Sequence, residues 1–346
     1  MTVVRLIAHV AVVIGGGFAL AALAQTPSLP LTGDVAPVHD PVIIRASDGY
    51  HVFSTGIGAD GQGVLSARHS RDRIHWERER PPFTALPAWT SRAIPGAKNM
   101  WAPDISYVDG QYRLYYAVST FGSNRSAIGL ATSRSLDPAS PDYGWHDEGM
   151  VLMSTAADDY NAIDPAFLAD AKGRQWLSLG SFWTGLKLFR LDPRTGKLLD
   201  PGARPIAIAR RPVPAGAPSI VEAPYIFEHG GWYWLIASYD YCCKGVNSTY
   251  YSVIARSRRV EGPYRGKGGS SMMAGGGTIL LRADLQEKQR FRGPGHVGHT
   301  RDADGTDYIV YHAYDRDHGG VPTLRLARLR WGADGWPVAS NEGEPQ

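Results

Sequence analysis

Three acidic residues each stand at the start of a short apolar run, where carboxylates are uncommon. They are Asp40 in "HDPVII", Asp164 in "IDPAF" and Glu222 in "VEAPYIF". A buried, unpaired carboxylate costs several kcal/mol, or its pKa rises until it is neutral. If the three side chains lie together, their repulsion separates their pKa values, so that one donates a proton while another accepts one. Glycoside hydrolysis requires such an acid and base; the alternative is that three unrelated polar residues cap strand ends.

The elements that would bring these residues together follow a repeat. Five segments begin with glycine and continue as an apolar or aromatic run: "GYHVFSTG" from Gly49, "GQYRLYYAVS" from Gly110, "GRQWLSLGSF" from Gly173, "GWYWLIASY" from Gly231 and "GTDYIVYHAY" from Gly305. Each follows another short apolar run across a polar turn, which predicts a β-hairpin, and most precede a third run. Five copies of three to four strands predict an all-β fold, a five-bladed β-propeller. A β-sandwich or jelly roll is the second possibility.

The acidic residues occupy matching places in this repeat. Nine residues before the five glycines stand Asp40, Trp101, Asp164, Glu222 and His296. The innermost strands of a propeller surround a central channel, so side chains at one equivalent point of these strands converge around its axis. The sequence therefore predicts a ring of three carboxyl groups, one indole and one imidazole around a single cavity.

Eight blocks occur in order along the chain: "HDPVII", "WAPDISY", "STFGSNRSAIGLATS", "NAIDPAF", "GSFWTGLKL", "VEAPYIF", "SYDYCCKGVNSTY" and "GPGH". Together they closely resemble the endo-1,5-α-L-arabinanases of glycoside hydrolase family 43, from about residue 34 to at least residue 315. The resemblance implies an inverting hydrolase with a five-bladed propeller. It makes Asp40 the general base that activates water and Glu222 the general acid, with Asp164 raising the pKa of Glu222 and orienting it. Inversion would place the acid and base carboxyls roughly 6.5–9.5 Å apart.

Four further residues are candidates for contacts with the substrate. Trp101 could stack on a furanose ring, and Phe121 in "TFGSN" resembles a family aromatic that contacts substrate. Asn161 and Ser181 could hydrogen-bond sugar hydroxyls. The alternatives are a core aromatic for Trp101, loop packing for Phe121, and backbone hydrogen bonds near strand ends for the two polar residues.

His296 in "GPGH" resembles the arabinanase histidine that lies near a central ion, commonly assigned as calcium. We therefore expect substrate contacts at His296 and one Ca²⁺, or another ion, in the central cavity. Because Ca²⁺ prefers six to eight oxygen ligands, waters would have to supply the rest of the coordination shell. His299, His312 and His318 match no zinc spacing, so they are interpreted as structural.

Composition and the N-terminal residues indicate which partners and which compartment to expect for the protein. The 346 residues carry a net charge of +3 without a basic stripe, which argues against nucleic-acid binding. A basic start, an apolar stretch and the small residues Ala22 and Ala24 before Gln25 predict a signal peptide over residues 1–24. A membrane anchor is the alternative. The expected product is a periplasmic or secreted monomer, with one catalytic propeller over residues 25–346 and no membrane contact.

The two cysteines of the chain, Cys242 and Cys243, are adjacent in sequence. Neighbouring cysteines cannot join distant parts of a fold, and a disulfide between them is strained. We therefore interpret them as two small buried side chains. The alternative is a vicinal disulfide, which an oxidising compartment would favour.

Three functions compete. The first is hydrolysis of α-1,5-linked arabinan, which the "STFGSN" and "YDYCCKGVNSTY" blocks favour. The second is an α-L-arabinofuranosidase or β-xylosidase of the same family, since such enzymes share the three carboxylates. The third is a non-catalytic sugar-binding propeller, which would ordinarily have lost a catalytic carboxylate, whereas this chain retains all three. Endo and exo action both remain open.

Overall fold

The computed structural model of the protein describes residues 28–56, 64–214, 217–283 and 289–340. The predicted signal peptide and its cleavage site lie outside the described residues. None of the helices in the described part of the chain has the length and apolar character that a membrane span requires.

Five antiparallel sheets, the blades, follow one another along the chain. The first contains β1 (Thr32–Gly33), β2 (Val42–Ala46), β3 (Gly49–Thr55), β4 (Leu65–Ser70) and β5 (His75–Glu79). A short helix, α1 (Ala88–Ala93), leads to the second, with β6 (Trp101–Val108), β7 (Gln111–Val118), β8 (Ser126–Ser133) and β9 (His146–Ser154). The third contains β10 (Ala166–Ala169), β11 (Gln175–Leu179), β12 (Leu186–Leu191) and β13 (Ile206–Ala209).

The last two blades repeat this plan. The fourth contains β14 (Val221–His229), β15 (Trp232–Tyr239), β16 (Tyr251–Ser257) and β17 (Thr278–Leu281). The fifth contains β18 (Phe291–Arg301), β19 (Asp307–Asp315), β20 (Val321–Trp331) and β21 (Pro337–Ser340). Strands adjacent in sequence are adjacent in every sheet, except that β1 pairs in parallel with β5 at the outer edge of the first blade. The prediction of a five-bladed propeller is confirmed, and the sandwich alternative is wrong.

The first long strand of each blade lies innermost, and these strands form a closed ring. Neighbouring members of the set β2, β6, β10, β14 and β18 contact one another, and β18 returns to β2. The segment before β2 strengthens this closure, because the Leu29 N–H donates to the Leu326 carbonyl at 2.6 Å and the Val38 N–H to the Pro322 carbonyl at 2.8 Å. The N-terminal segment thereby joins the first blade to the last.

Apolar packing fills the spaces between neighbouring blades. Each of the five interfaces holds its own cluster of buried side chains, represented by Val52, Leu114, Leu177, Leu235 and Ile309, all fully buried. Burial of a Leu or Ile side chain stabilises a fold by roughly 1.5–3 kcal/mol. The blades are therefore held at fixed angles, and the side chains that line the axis inherit that rigidity.

A backbone feature recurs near the start of every innermost strand. At a corresponding place in each blade a non-glycine residue has a positive φ: Asp40 (52°), Ala102 (42°), Asp164 (57°), Ala223 (53°) and His296 (51°). L-residues seldom adopt this left-handed conformation, and it costs of order 1–3 kcal/mol. These five residues are the equivalent positions of the blades.

The nine-residue count is therefore corrected in two blades, where Trp101 and Glu222 stand one residue before the equivalent position. The glycine is not a fixed reference point, because Gly49 is the first strand residue after its turn, whereas Gly110 lies within its turn. Two turn residues separate Val108 from Gln111, whereas five separate Ala169 from Gln175. The strand pairing also shifts register directly after Trp101 and directly after Glu222.

Candidate active site

Asp40 precedes β2, and basic groups and a hydroxyl surround its carboxylate. Oδ1 lies 2.8 Å from His39 Nδ1 and 3.1 Å from His296 Nδ1. Thr55 donates its hydroxyl to Oδ2 at 2.7 Å. Burial alone would raise the pKa of Asp40, but the adjacent imidazoles of His39 and His296 hold it well below the usual value. The carboxylate therefore stays ionised near neutral pH and can accept a proton.

Glu222 lies in a different environment at the start of β14. The Ser181 hydroxyl donates to its Oε2 at 2.7 Å, and the side chain is buried. Burial raises the pKa of Glu222, and the charge of Asp40 adds to this, while hydrogen bonding by Ser181 and the charge of His296 lower it less. The raised pKa makes Glu222 suited to donate a proton.

Asp164 interacts electrostatically with both Glu222 and Asp40. Its Oδ2 accepts the backbone N–H of Ala223 at 3.1 Å, so it contacts the strand that carries Glu222. Burial raises the pKa of Asp164 well above its usual value, and the charges of Glu222 and Asp40 raise it further. Burial, rather than the charge of Asp164, is the largest cause of the raised pKa of Glu222. Glu222 and Asp164 resist simultaneous ionisation, because the charge of Glu222 makes ionisation of Asp164 more costly.

His296 supplies positive charge among the three carboxyls. Its backbone N–H donates to the Ser238 hydroxyl at 3.0 Å, which fixes the left-handed residue against β15. Burial opposes protonation of His296, but the charge and hydrogen bond of Asp40, together with the charge of Asp164, raise its pKa to about 9. The structure thus brings together four of the five predicted ring residues.

The other predicted substrate contacts differ in their surroundings. Trp101 is partly exposed, and its Nε1 donates to Asn99 at 2.9 Å. Asn161 is buried, and its Oδ1 accepts the Ser126 hydroxyl at 2.6 Å. The Ser181 hydroxyl donates a hydrogen bond to Glu222. Their roles toward substrate stay predictions.

Phe121 lies in the loop between β7 and β8 with 87% of its surface exposed. Trp101 pairs with Ala117 near the end of β7, so this loop leaves the blade at the same end as the axial ring. An exposed aromatic ring on that face is placed where a polysaccharide could reach it. The side chain makes no ring contact with another aromatic in the described part of the chain.

Several residues that the motifs did not single out complete the site. His312, interpreted from sequence as structural, accepts the backbone N–H of Asp40 at its Nδ1 (3.1 Å) and stacks on His39 at 3.9 Å. Tyr250, at the end of "NSTY", is buried, and burial and the charges of Glu222 and Asp164 raise its pKa, so its hydroxyl stays protonated. The only local signal was the alternation of His312 and Tyr314 in "YHAYD", which places both on one face of β19.

The interpretation of the cysteines as two buried side chains is wrong. Cys242 and Cys243 form a disulfide, and Cys243 is exposed. They lie in the loop between β15 and β16, whose last and first strand residues are Tyr239 and Tyr251. Because Tyr239 pairs with Val221 beside Glu222, this loop also borders the axial ring.

Comparison with known proteins gives a consistent result. The family model described as glycosyl hydrolases family 43 matches residues 35–337. An extracellular endo-alpha-(1->5)-L-arabinanase of Bacillus subtilis is 42% identical over 302 residues, covering 87% of each chain. An extracellular exo-alpha-(1->5)-L-arabinofuranosidase of Cellvibrio japonicus is 41% identical over 308 residues, covering 87% of this chain and 85% of the relative. A solved structure of a Cellvibrio cellulosa alpha-L-arabinanase complexed with arabinohexaose has a TM-score of 0.81 at 38% identity, covering 88% of this chain and 96% of the other. The chain therefore belongs to glycosyl hydrolases family 43.

Proposed function

We propose that the protein hydrolyses α-1,5-linked L-arabinan with inversion of the anomeric configuration. Glu222 is the general acid and Asp40 the general base. The observation that carries this proposal is the opposite perturbation of two carboxyls in one cavity. The pKa of Glu222 is raised, first by burial, while imidazoles hold the pKa of Asp40 well below its usual value. An inverting glycosidase needs one protonated and one ionised carboxyl at neutral pH.

The reaction then proceeds in one displacement. Glu222 gives its proton to the glycosidic oxygen as the bond to the anomeric carbon breaks. Asp40 takes a proton from a water that attacks the same carbon from the opposite face. Ser181 holds the Glu222 carboxyl in place, and Asp164 limits its ionisation while contacting the backbone of Ala223.

The substrate assignment is supported by the relatives. Both curated relatives quoted above are named for α-1,5-linked arabinose chains, and a solved relative was crystallised with arabinohexaose. By name, the Cellvibrio relative is exo-acting and the Bacillus relative is endo-acting. Their sequence identities to this chain are 41% and 42%, so identity favours neither mode of action. An arabinofuranosidase or β-xylosidase activity remains the second candidate, because the three carboxylates do not distinguish it.

We propose that the enzyme is exported and works as a monomer. The predicted leader and the word "extracellular" in both relatives' names support export. Sequencing the N-terminus of secreted protein should find Gln25 first, and light scattering should give the mass of one mature chain. Retention of residues 1–24 would instead support the membrane-anchor alternative.

We also propose one bound ion, with Ca²⁺ as first choice, beside His296. Asp104 and His296 line a small axial cavity with Asp164, and Asp104 Oδ1 is buried with no hydrogen-bond partner in the described residues. A carboxylate oxygen and waters fit a hard cation, and His296 would release a proton on binding it, because only the neutral imidazole has a lone pair for a ligand bond. Metal analysis of dialysed protein should give about one ion per chain, and Asp104→Asn should release it. Retention of the ion by that variant would refute the ligand assignment.

The acid and base roles are tested by substrates that differ in leaving group. Glu222→Gln should lower kcat on debranched arabinan by about 10²–10⁴-fold, but should retain much of its rate on an aryl arabinoside whose phenol leaves without protonation. Asp40→Asn should lose both activities, because water still requires its base. Glu228→Gln, on the exposed part of β14, is the matched control and should behave like the parent.

Equal losses on both substrates for Glu222→Gln would contradict the acid role. If the parent cuts xylan or aryl arabinoside but not arabinan, the family assignment stands and the substrate proposal fails. Sugar binding without turnover of any of these substrates would support the non-catalytic alternative.

A further inference from the structure

The disulfide loop contacts residues that hold the general base, and this contact is independent of the motif residues. The backbone N–H of Cys243 donates to the Tyr314 hydroxyl at 2.7 Å. Cys243 Sγ lies 3.8 Å from His39 Nε2. The loop from the fourth blade thus touches one residue of β19 and one residue that precedes β2, across the mouth of the ring.

The donors and acceptors around Tyr314 and His39 determine the direction of the hydrogen bond between them. The Tyr314 oxygen accepts the Cys243 N–H, which uses one of its lone pairs. A phenol oxygen has two lone pairs and one proton. The ionised Asp40 carboxylate can only accept, so the His39 Nδ1 beside it carries a proton. The Nε2 of the neutral ring is then an acceptor, and the Tyr314 hydroxyl, 2.8 Å away, donates to it.

His39 is thereby held in one tautomer. Its Nε2 accepts from Tyr314, so the neutral ring carries its proton on Nδ1, which lies 2.8 Å from Asp40 Oδ1. The ring is also stacked on His312 at 3.9 Å, which limits its rotation. The hydrogen bond made by one ring nitrogen decides which proton the other presents.

We propose that the Cys242–Cys243 loop is a clamp that, through Tyr314, fixes the tautomer and orientation of His39. Tyr314 and His39 are positioning residues for the Asp40 carboxylate. The expected effect on kcat rests on the proposed function, in which Asp40 is the general base. The expected tautomer of His39 does not depend on that role. If the loop moves, the Tyr314 hydroxyl can turn away, Nε2 can take the proton, and a lone pair of Nδ1 then faces the carboxylate.

Nitrogen-15 NMR of histidine-labelled mature protein tests the clamp directly. The His39 signal is identified by its absence in His39→Gln. The parent should show His39 protonated on Nδ1, and Tyr314→Phe should shift it toward the Nε2-protonated form. An Nε2-protonated or doubly protonated His39 in the parent at neutral pH overturns the clamp, whether or not the protein cuts arabinan.

Kinetics test the positioning role. Tyr314→Phe should lower kcat about tenfold to a hundredfold, as expected for loss of an oriented bond next to a charged group, with KM little changed. Tyr107→Phe, an exposed tyrosine on β6, should leave both constants unchanged. A tautomer shift in Tyr314→Phe without loss of kcat, or equal losses in both variants, overturns the positioning role.

A second measurement uses the unmutated protein. A dithiol reductant converts the one disulfide to two thiols while its own two thiols become a cyclic disulfide. The chain has only two cysteines, so the reductant has no other disulfide to reach. Reduction should lower kcat and shift the His39 signal together, and reoxidation should restore both. Full activity with an unchanged tautomer after reduction, verified by thiol titration, would overturn the role of the disulfide.

Discussion

Thr55→Val is a near-isosteric change that isolates one hydrogen bond to the general base. In the parent, the Thr55 hydroxyl donates to Asp40 Oδ2 at 2.7 Å and accepts the Ala102 N–H at 2.8 Å. Oδ1 is held separately by the imidazoles of His39 and His296. Among the described residues, Thr55 is the only side chain with a hydrogen bond to Oδ2, so valine frees that oxygen while leaving the other held.

The size of the effect follows from these contacts. A hydrogen bond to a charged group is worth about 1.5–3 kcal/mol, and each 1.36 kcal/mol changes a rate about tenfold. We therefore expect kcat on arabinan to fall roughly tenfold to a hundredfold, because two imidazoles still hold Oδ1 and the base is not lost. The Ala102 N–H also loses its partner, which should cost about 1–3 kcal/mol of stability and lower the melting temperature by several degrees.

The assay is steady-state kinetics on debranched arabinan together with thermal unfolding by circular dichroism. Thr55→Ser keeps the hydroxyl and should restore kcat. The matched control is Thr132→Val, which removes a threonine hydroxyl that donates to Glu148 at 2.8 Å on the second blade; its kcat should equal that of the parent. If Thr55→Val melts earlier but retains the parent kcat, the hydroxyl is structural only and the positioning of Oδ2 is refuted.

Two further predictions concern stability and packing. Burial alone would raise the pKa of Asp307, but hydrogen bonds led by that of His299 hold it well below the usual value. The ionised Asp307 therefore stabilises the folded protein above about pH 4, and this contribution is lost as the pH falls through the lowered pKa. In urea unfolding, Asp307→Asn should be less stable than the parent by about 3 kcal/mol near neutral pH, with the gap closing in acid; a constant gap would contradict this. A Cβ at Gly295 would overlap the Tyr250 ring beside Glu222, so Gly295→Ala should lower both kcat and melting temperature. Gly129→Ala, whose Cβ would overlap Tyr116 in the second blade, should lower the melting temperature only, and an equal loss of kcat in both would argue against a local effect at the site.

The architecture could be predicted because its signals are local. Each hairpin consists of two short apolar runs and a polar turn that are contiguous in the chain, so five of them can be counted directly. The acidic residues were identified for the same reason, since Asp40, Asp164 and Glu222 each stand beside a run that must be buried. Placing them around one axis then required only the topology of a propeller.

The detailed equivalence of the blades could not be read in this way. A fixed offset from the glycine fails because the glycine lies within the turn in some blades and after the turn in the first blade. A difference of one residue reverses the side on which a strand side chain points. The shared feature is the left-handed residue, which is Ala102 or Ala223 in two blades and Asp40, Asp164 or His296 in the others. No residue type marks it, because the surrounding strands impose the conformation.

The partners of the acidic residues were hidden for a different reason, because they come from distant parts of the chain. Asp40 receives Thr55 from β3, His296 from β18 and the imidazole of His312 from β19, whereas Glu222 receives Ser181 from the third blade. These neighbours decide the chemistry. Two carboxyls in one buried cavity would both have raised pKa values if burial were the only influence. Basic groups gather on one side of the cavity and a neutral hydroxyl on the other, so burial prevails at Glu222 and is overcome at Asp40. The division between acid and base is therefore a property of the closed ring of blades, since no single blade contains either carboxyl together with all of its partners.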